Sequence, residues 1–325
     1  MINIPKPLLY VSAFSTVIGG AYLFKESITG KSYKIRTSAA NKIIIITGAN
    51  TGIGKEAARL LAIKNATVIM ACRDLDKCEK SRTELALQSR NKRLYCRKCD
   101  LSSQESIKEF ANTFKKEFNK LDVLVNNAGV MRCKKSTTKD GIETHLGVNH
   151  IGHFLLTNLL LDYLKKSAPS RVINITTRQH KSSQINKTDL NSDTSYDEET
   201  AYNQSKLANL MFTAKLADVL KDTGVTVNAV YPGICTTDLS RHLPYYNSVT
   251  RFIIKPLAWL FMKSPSKGSQ TIVHASIDPE LENVTGQFLS NFEEVSMPIQ
   301  VKDKKTVDWL WKVSEKWTKL EEEKK

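Results

Sequence analysis

A run of four isoleucines followed at once by glycines constrains the fold of this chain more than any other stretch. Residues 42–54 read KIIIITGANTGIG, and the next residues, KEAARLLAIKN, have the apolar spacing of a helix. A short, continuous apolar run that closes on glycine is typical of a strand buried on both faces of a parallel sheet. The sequence therefore predicts a strand, a glycine-rich turn and a helix in succession.

The three glycines of this turn have separate physical roles. Gly48 permits the tight turn, Gly52 lets the backbone approach a ligand, and Gly54 lets the start of the helix lie near the strand. The helix N-terminus then offers unpaired N–H groups and the positive end of its dipole to a pyrophosphate. The spacing fits T-G-x-x-x-G-x-G rather than G-x-G-x-x-G, and a glycine-rich turn in some other α/β protein stays an alternative.

Behind this turn, strand-like and helix-like segments alternate along the chain. We expect further strands at 66–71, 94–99, 121–126, 171–176, 225–230 and 286–290. Helical patterns occupy residues 102–119, 144–160 and 201–220. Such alternation predicts a Rossmann-type α/β fold, with a doubly wound parallel sheet in a single domain.

The N-terminus carries an uncharged apolar segment, residues 8–24, at the short end of membrane-spanning length. Lys6 precedes it, and the basic residues that follow it are Lys25, Lys31, Lys34 and Arg36. This excess of positive charge behind the segment favours a membrane anchor with the rest of the chain in the cytosol. A cleaved signal peptide and a buried core helix are the alternatives.

Charge and cysteine content exclude some functions. The formal net charge is +15 over 325 residues, but the basic residues are spread along the chain without interleaved aromatic residues, so we expect no nucleic-acid partner. Six cysteines include the C-x-x-C of Cys96 and Cys99, and no second pair completes a zinc site. We expect all six to be reduced structural thiols, and no bound metal.

A tyrosine and a lysine four residues apart form the main catalytic candidate. Tyr202 and Lys206 fall on one face of a predicted helix, in the run AYNQSK. A nearby ammonium favours the phenolate and lowers a tyrosine pKa, which makes Tyr202 a candidate proton donor and acceptor. Taken alone, such a pair also fits a solvated helix face.

Together these motifs resemble the short-chain dehydrogenase/reductase superfamily. The resemblance rests on residues 47–54 (TGANTGIG), 126–129 (NNAG), Asn149, the Tyr202–Lys206 pair and 231–233 (YPG), and it covers about residues 42–292. ACRD after the second strand, YNQSKLANLMF and KSPSKGSQT are similar to the membrane-bound retinol dehydrogenase group. The resemblance implies NADP(H) and hydride transfer between an alcohol and a carbonyl.

The family pattern also implies a set of site residues. The catalytic residues are Tyr202, Lys206, Thr177 and Asn149. The cofactor-binding residues are Gly48, Asn50, Thr51, Gly52, Ile53, Gly54, Arg73, Asp100, Leu101, Asn127, Ala128, Gly129, Tyr202, Lys206, Pro232, Gly233 and Thr236.

The residues after the second strand favour NADP(H) over NAD(H). NAD-binding relatives tend to end this strand with an acid that binds the ribose hydroxyls, whereas here Cys72 is followed by Arg73. A guanidinium can pair with a 2′-phosphate, which an acid would repel. Asp74 comes one residue late for the acidic role.

One departure from the family pattern concerns the catalytic serine, whose place is taken by Thr177. A threonine keeps the hydroxyl donor, but its methyl group restricts χ1 and fills space beside the substrate carbonyl. Misplacing a hydroxyl that stabilises a developing oxyanion costs a few kcal/mol. The departure therefore supports a rival hypothesis, a non-catalytic NADP(H)-binding membrane scaffold.

Our main hypothesis is a membrane-bound NADP(H)-dependent oxidoreductase acting on an apolar alcohol or carbonyl, with retinol and retinal as the implied example. Steroids and fatty aldehydes stay open as substrates. We expect the endoplasmic reticulum, or else a lipid droplet or mitochondrial membrane, and we leave open a homodimer. The domains are then 1–40 (anchor and linker), 41–300 (catalytic, with an apolar substrate lid at 242–262) and 301–325 (C-terminal helical tail).

Overall fold

Eight strands make up the sheet of this protein, as seen in a computed structural model that describes residues 6–30, 32–34, 36–178, 183–235 and 261–320. The strands are β1 (Ile43–Thr47), β2 (Thr67–Cys72), β3 (Leu94–Lys98), β4 (Val123–Asn126), β5 (Ser170–Ile175), β6 (Val225–Tyr231), β7 (Phe288–Ser290) and β8 (Glu293–Val295).

Helices connect these strands. They are α1 (Lys6–Thr29), α2 (Gly52–Ile63), α3 (Leu75–Ser89), α4 (Gln104–Glu117), α5 (Thr144–Leu146), α6 (Gly152–Lys166), α7 (Glu198–Val219), α8 (Pro265–Ile277) and α9 (Lys304–Thr318). A π-helical turn, Gly147–Ile151, joins α5 to α6, so that one continuous helical segment runs from residue 144 to residue 166.

The strand order is β3-β2-β1-β4-β5-β6-β7-β8, and every neighbouring pair is parallel except β7 and β8. The order reverses between β1 and β4, and at such a point the connections leave in opposite directions and open a crevice at the carboxyl ends of the strands. The expected Rossmann-type parallel sheet is confirmed. The antiparallel edge strand β8 was not expected.

The isoleucines of β1 explain why the sheet is covered on both faces. Ile44 and Ile46 face a core shared with α2, α3 and α8, whereas Ile45 faces a second core with α4, α6 and α7. All three side chains are fully buried. Because successive strand residues point to opposite faces, a continuous apolar run requires helices on both sides.

A chain of buried polar side chains links the middle of the sheet to the helices behind the crevice. The Asn126 amide donates to Asn174 Oδ1 at 2.8 Å and to Thr157 Oγ1 at 2.9 Å, and the Asn174 amide donates to Thr213 Oγ1 at 3.0 Å. These bonds join β4, β5, α6 and α7. Buried polar groups are costly unless they are paired. This row of hydrogen-bonded side chains therefore fixes how α7 lies on the sheet.

The helix α1 meets the rest of the protein near its C-terminal end. Lys267 of α8 donates from Nζ to Glu26 at 2.8 Å and to Thr29 Oγ1 at 2.9 Å. Within the described ranges, no helix combines the length and the apolar character needed to cross a bilayer. The expected membrane-anchor helix is therefore not confirmed.

The cysteines depart from the expectation of six reduced thiols. Cys78 of α3 and Cys96 of β3 form a disulfide, with their Cα atoms 6.0 Å apart. This prediction was wrong because α3 packs beside β3, which brings together two cysteines that lie 18 residues apart in sequence. The free cysteines are Cys72, Cys99, Cys133 and Cys235.

Candidate active site

The turn between β1 and α2, residues 48–54, forms a cradle in which two positions favour glycine. Gly48 has a φ of +65°, and a Cβ there would lie 3.0 Å from the Cα of Ala128. A Cβ on Gly54 would lie 2.6 Å from the Gly48 carbonyl oxygen and 2.4 Å from Asn127 Nδ2. Contacts under 3.0 Å exclude a Cβ at Gly54, and the positive φ of Gly48 disfavours other residues there, so both glycines favour the close approach of this turn to the loop after β4.

The first turn of α2 is free to bind an anion. Thr51 occupies the N-cap position, but its side chain makes no capping hydrogen bond. The first N–H groups of a helix otherwise need such a partner, and together with the helix dipole they attract negative charge. The glycine cradle and the uncapped helix therefore fit the pyrophosphate of a dinucleotide, with Asn50 and Ile53 completing the turn.

The carboxyl end of β2 carries an exposed cation beside an acid that is already bound. Arg73 is exposed. Asp74 is the N-cap of α3, accepts from the Lys77 backbone N–H at 3.0 Å, and pairs with the Lys77 ammonium at 3.3 Å. The Lys77 N–H is the largest of the contacts that lower the pKa of Asp74. The carboxylate of Asp74 thus serves to cap the start of α3.

At the end of β3, Asp100 and Leu101 shape the neighbouring wall. Asp100 Oδ1 accepts from the backbone N–H of Ser102 at 3.0 Å and from its hydroxyl at 2.7 Å. Leu101 is buried, and a Cβ on Gly152 would lie 2.7 Å from the Leu101 carbonyl oxygen. The start of α6 therefore packs directly on the backbone after β3.

The loop after β4 leads from the glycine cradle to the catalytic candidates. Its first residue, Asn127, donates from Nδ2 to the Thr47 carbonyl at 2.8 Å. Two residues later, a Cβ on Gly129 would lie 3.1 Å from Asn149 Oδ1 and 3.5 Å from Lys206 Nζ. Gly129 therefore lets the loop pass close to the side chains of Asn149 and Lys206, where a larger residue would crowd Asn149.

Asn149 lies in the π-helical turn, and both polar atoms of its side chain make hydrogen bonds. Its Oδ1 accepts from the Val130 N–H at 2.8 Å, while its Nδ2 donates to the Val130 carbonyl at 3.0 Å and to Ser205 Oγ at 2.9 Å. The side chain thus clamps the loop after β4 to the helix that carries Tyr202 and Lys206. A π turn frequently occurs at functional sites because it re-aims side chains.

Lys206 is buried, and its Nζ donates to the Ile175 carbonyl at the end of β5, at 3.2 Å. Burial lowers the pKa of Lys206 to about 8. The Nζ lies 5.9 Å from the ring centroid of Tyr202 one helical turn earlier. The two side chains thus share a face, as their spacing in the sequence predicts.

The predicted direction of the Tyr202 pKa was wrong. Tyr202 is 6% exposed, and burial raises the pKa of its phenol, with a further increase from Tyr231. Desolvation disfavours the phenolate more strongly here than a lysine 5.9 Å from the ring centroid favours it. The phenol therefore holds its proton at neutral pH.

The two threonines after β5 have different environments. Thr176 donates from its hydroxyl to the Lys206 carbonyl at 3.0 Å and from its backbone N–H to the Val230 carbonyl. Thr177 is 9% exposed, and it follows directly at the carboxyl end of the strand. Thr176 thus fixes α7 on the sheet, whereas Thr177 begins the connection that leaves the carboxyl end of β5.

The loop after β6 closes the crevice opposite these residues. Gly233 has a φ of +92°, and a Cβ there would lie 2.8 Å from Lys263 Cδ. It follows Pro232, and Cys235 pairs with Lys263 in a short parallel bridge. Thr236, from which we expect a cofactor contact, lies outside the described residues. So do residues 242–260 of the expected apolar lid.

Sequence reasoning missed a buried acid–histidine pair beside Tyr202. Glu143 accepts from His145 Nδ1 at 2.8 Å, and it caps the helical segment through the N–H groups of His145 and Leu146. The His145 ring lies edge-on to Tyr202, with centroids 6.2 Å apart, and its Nε2 accepts from the Cys133 N–H at 3.2 Å. An acid two residues before a histidine at a helix start was the available signal.

This pair holds the far end of the loop after β4. Tyr196 donates from its hydroxyl to the Cys133 carbonyl, so both backbone groups of Cys133 are bound. Burial lowers the pKa of His145, but the side chains of Cys133 and Glu143 outweigh it and raise that pKa above its usual value. The loop is therefore fixed by Asn149 at Val130 and by this cluster at Cys133.

Comparison with known proteins agrees with this geometry. The sequence profile of a family described as short chain dehydrogenase matches residues 42–245. Retinol dehydrogenase 13 of Mus musculus is 44% identical over 306 residues, which cover 94% of this chain and 92% of the relative. Retinol dehydrogenase 12 of Mus musculus is 45% identical over 273 residues, covering 84% and 85% of the two chains.

A solved structure of a protein from Mycobacterium paratuberculosis has the same fold. It superposes with a TM-score of 0.71 at 31% identity, covering 89% of this chain and 98% of the other. The expected family is thus confirmed from both sequence and structure. The chain belongs to the short-chain dehydrogenase/reductase family, within its retinol dehydrogenase group, and is a dehydrogenase/reductase whose fold binds NAD(P).

Proposed function

We propose that this dehydrogenase/reductase uses NADP(H) and acts on an apolar alcohol/carbonyl pair of the retinol/retinal kind, at a membrane. The observation that carries the proposal is the buried pairing of Tyr202 with Lys206 beside a glycine cradle that fits a pyrophosphate. The substrate class is supported by the relatives, which are named retinol dehydrogenases 12 and 13.

Tyr202 is the proton donor and acceptor in this proposal. A bound nicotinamide supplies hydride to a carbonyl or accepts it from an alcohol. In the reductive direction Tyr202 gives its proton to the carbonyl oxygen, and in the oxidative direction it takes the alcohol proton. Its raised pKa keeps the proton in place until a substrate oxygen arrives.

Lys206, Asn149 and Thr177 assist this transfer. Lys206 binds the nicotinamide ribose, and its ammonium favours loss of the Tyr202 proton when alcohol is oxidised. Asn149 holds the loop after β4 and fixes a water that links Lys206 to solvent. Thr177 donates its hydroxyl to the substrate oxygen, as an oxyanion-stabilising group does.

The cofactor preference rests on the charges at the end of β2. Arg73 is exposed and can pair with the 2′-phosphate that distinguishes NADP(H). Asp74 is bound within α3 as its N-cap, so it does not offer a carboxylate to the ribose hydroxyls of NAD(H). Both features favour the phosphorylated cofactor.

The exposed face of α1 supports attachment to a membrane. Phe14, Ile18, Tyr22 and Leu23 are each at least half exposed, and Phe24 contacts Phe261 edge-on, with ring centroids 6.4 Å apart. A water-exposed helix rich in large apolar residues favours lipid contact. We place residues 8–24 in a membrane, that of the endoplasmic reticulum, a lipid droplet or a mitochondrion, with the catalytic domain in the cytosol.

Tyr202→Phe should abolish most of the turnover while leaving cofactor binding intact. The change removes the proton donor but keeps the ring that packs on His145. Positioned acid–base catalysis is worth about 10²- to 10⁴-fold in rate, so kcat should fall at least that far. Steady-state oxidation of NADPH with retinal, a steroid ketone and an aliphatic aldehyde measures kcat, and fluorescence titration measures NADPH binding. Unchanged turnover in the variant would refute the mechanism.

Thr177→Ser separates the enzyme from the scaffold hypothesis in the same assays. The serine keeps the hydroxyl and removes the methyl group, so an active wild type should keep or gain activity on bulky carbonyls. Turnover that is absent in the wild type on every carbonyl, yet present in Thr177→Ser, would favour a non-catalytic scaffold.

Arg73→Ala should change the choice of cofactor. Loss of the guanidinium removes a charge-assisted contact to the 2′-phosphate, so the Kd for NADPH should rise by about tenfold or more, and that for NADH much less. Binding titrations with both dinucleotides measure this. Arg82→Ala is a matched control, because Arg82 lies on α3 and pairs with Glu79. Equal or tighter binding of NADH by the wild type would contradict the preference.

Lys206→Met should stabilise the cofactor-free protein at pH 7 while it abolishes activity. Burial lowers the Lys206 pKa from 10.5 to about 8, so the folded state carries a charge that burial disfavours. The unfolded chain holds this proton more tightly, so wild-type stability rises with pH between about 8 and 10.5, and the advantage of the variant should shrink across that interval. Urea unfolding at several pH values measures it.

The control for this measurement is Lys215→Met on the same helix, where the lysine pairs with Asp308 at the surface. We expect no comparable pH-dependent gain there, because a surface ion pair contributes little. A stability difference between Lys206→Met and the wild type that stays constant from pH 7 to pH 10.5 would show that the buried charge is not the cause.

Removal of residues 1–24 should release the protein from membranes. The deletion takes away the exposed apolar side chains but leaves Glu26 and Thr29, which bind Lys267. Sedimentation after an alkaline carbonate wash should retain the full chain with the membranes and lose the truncated one. A full chain that washes off, or a catalytic domain protected from protease in sealed microsomes, would contradict this topology.

A further inference from the structure

Three buried histidines lie along the helical segment of residues 144–166, and the one nearest the glycine cradle has a role that the mechanism above does not use. His145 and His150 bind Glu143 and Ser314 respectively. His153 is 1% exposed and lies one helical turn after Asn149. Its contacts join the site residue Asn149 to the end of β1.

The protonation of the His153 ring follows from its two partners. Nδ1 lies 2.9 Å from the Asn149 carbonyl oxygen, which can only accept, so Nδ1 carries the proton. Nε2 in the neutral ring is then an acceptor, and it lies 2.9 Å from Thr47 Oγ1. The His153 ring therefore accepts a hydrogen bond from the Thr47 hydroxyl at Nε2. It donates a hydrogen bond from Nδ1 to the Asn149 carbonyl oxygen.

The Thr47 hydroxyl depends on this acceptor. Its oxygen already accepts from the backbone N–H groups of Asn127 and Ala128, both at 2.9 Å. Its own proton must go elsewhere, and the Val125 carbonyl is a poorer acceptor at 3.4 Å. His153 is the acceptor at normal hydrogen-bond distance.

The network persists at neutral pH. Burial lowers the pKa of His153 to about 3; the bond to Asn149 opposes this, and repulsion from Lys206 and from His150 adds to it. The ring is thus neutral above mildly acidic pH, and Nε2 stays an acceptor.

We propose that His153 is a positioning residue that holds the dinucleotide-binding turn, residues 47–54, in register with the loop after β4 and with the backbone of Asn149. It acts through Thr47 and touches neither substrate nor cofactor. The inference rests on the dinucleotide binding in the proposed function. It concerns the turn beneath the pyrophosphate, which NADPH and NADH share, and so does not depend on which of them is preferred.

Loss of the Nε2 acceptor should weaken the binding of both dinucleotides. Thr47 is 1% exposed, so without His153 its hydroxyl has no water to turn to. It must either stay poorly paired, with only the Val125 carbonyl at 3.4 Å, or rotate and give up the N–H groups of Asn127 and Ala128. Leaving a buried donor unpaired costs about tenfold in an equilibrium constant. Part of this cost is a larger population of the protein in which the turn of residues 47–54 is not formed.

Two amide substitutions separate the two ring nitrogens. His153→Gln places an amide oxygen where Nε2 was and keeps an acceptor for Thr47. His153→Asn reaches only as far as Nδ1 and keeps the bond to Asn149 instead. We expect His153→Asn to raise the Kd values of NADPH and NADH by about tenfold and by the same factor, and His153→Gln to stay within about threefold of the wild type.

The matched control is His150→Asn, which alters an equally buried histidine of the same segment. His150 binds Ser314 of α9 at 2.9 Å, away from the turn, so the Kd values should stay at the wild-type level even where thermal stability falls. The full chain is titrated by fluorescence with each dinucleotide. Backbone amide exchange without ligand provides a second measurement, in which His153→Asn should speed exchange at Asn127 and Ala128.

Wild-type affinity and wild-type amide exchange in His153→Asn would overturn the proposal, as would an equal loss of affinity in His150→Asn. A change in the NADPH/NADH ratio in His153→Asn would also count against it, because the turn is common to both ligands. If the wild type prefers NADH, the cofactor preference in the proposed function is wrong, and the comparison of the histidine variants still decides the role of His153.

Discussion

The hydroxyl of Thr47 accepts hydrogen bonds from two consecutive backbone N–H groups, those of Asn127 and Ala128, and so joins the carboxyl ends of β1 and β4. The close approach of the two connections follows from this contact, since Gly48 and Gly54 lie against the same loop. The loop then continues to Gly129 and to Val130, which Asn149 holds from the other side. One run of close contacts therefore connects the turn that fits a pyrophosphate with Asn149 and Lys206.

Much of this architecture can be predicted from short windows of sequence. Four isoleucines predict a strand buried on both faces, and β1 packs on both cores through Ile44 and Ile45. The glycine spacing predicts a close turn, and both the positive φ of Gly48 and the space around Gly54 agree with it. The Tyr202–Lys206 spacing predicts a shared helix face. Each prediction succeeds because its physical cause lies within a few residues.

The features that escaped prediction depend on residues far apart in the chain. The disulfide joins Cys78 to Cys96 because a helix packs beside a strand, a placement that no local pattern contains. The His145 contact to Cys133 depends in the same way on how the π-helical turn re-aims the chain. The pKa of Tyr202 was predicted from its neighbouring charge alone, whereas burial, which is a property of the folded protein, has the larger effect.

The sheet ends at β8, whose three residues include Glu293 and Glu294, both exposed. A strand at the edge of a sheet exposes unpaired backbone groups that another chain can extend, and short length and charge are the usual protection. Antiparallel pairing with β7 places Glu293 opposite Ser290 and Glu294 opposite Leu289, at the edge of the sheet. A second copy that added a strand here would bring two like charges against its own edge. Short length and negative charge therefore protect this edge of the sheet against pairing with another chain.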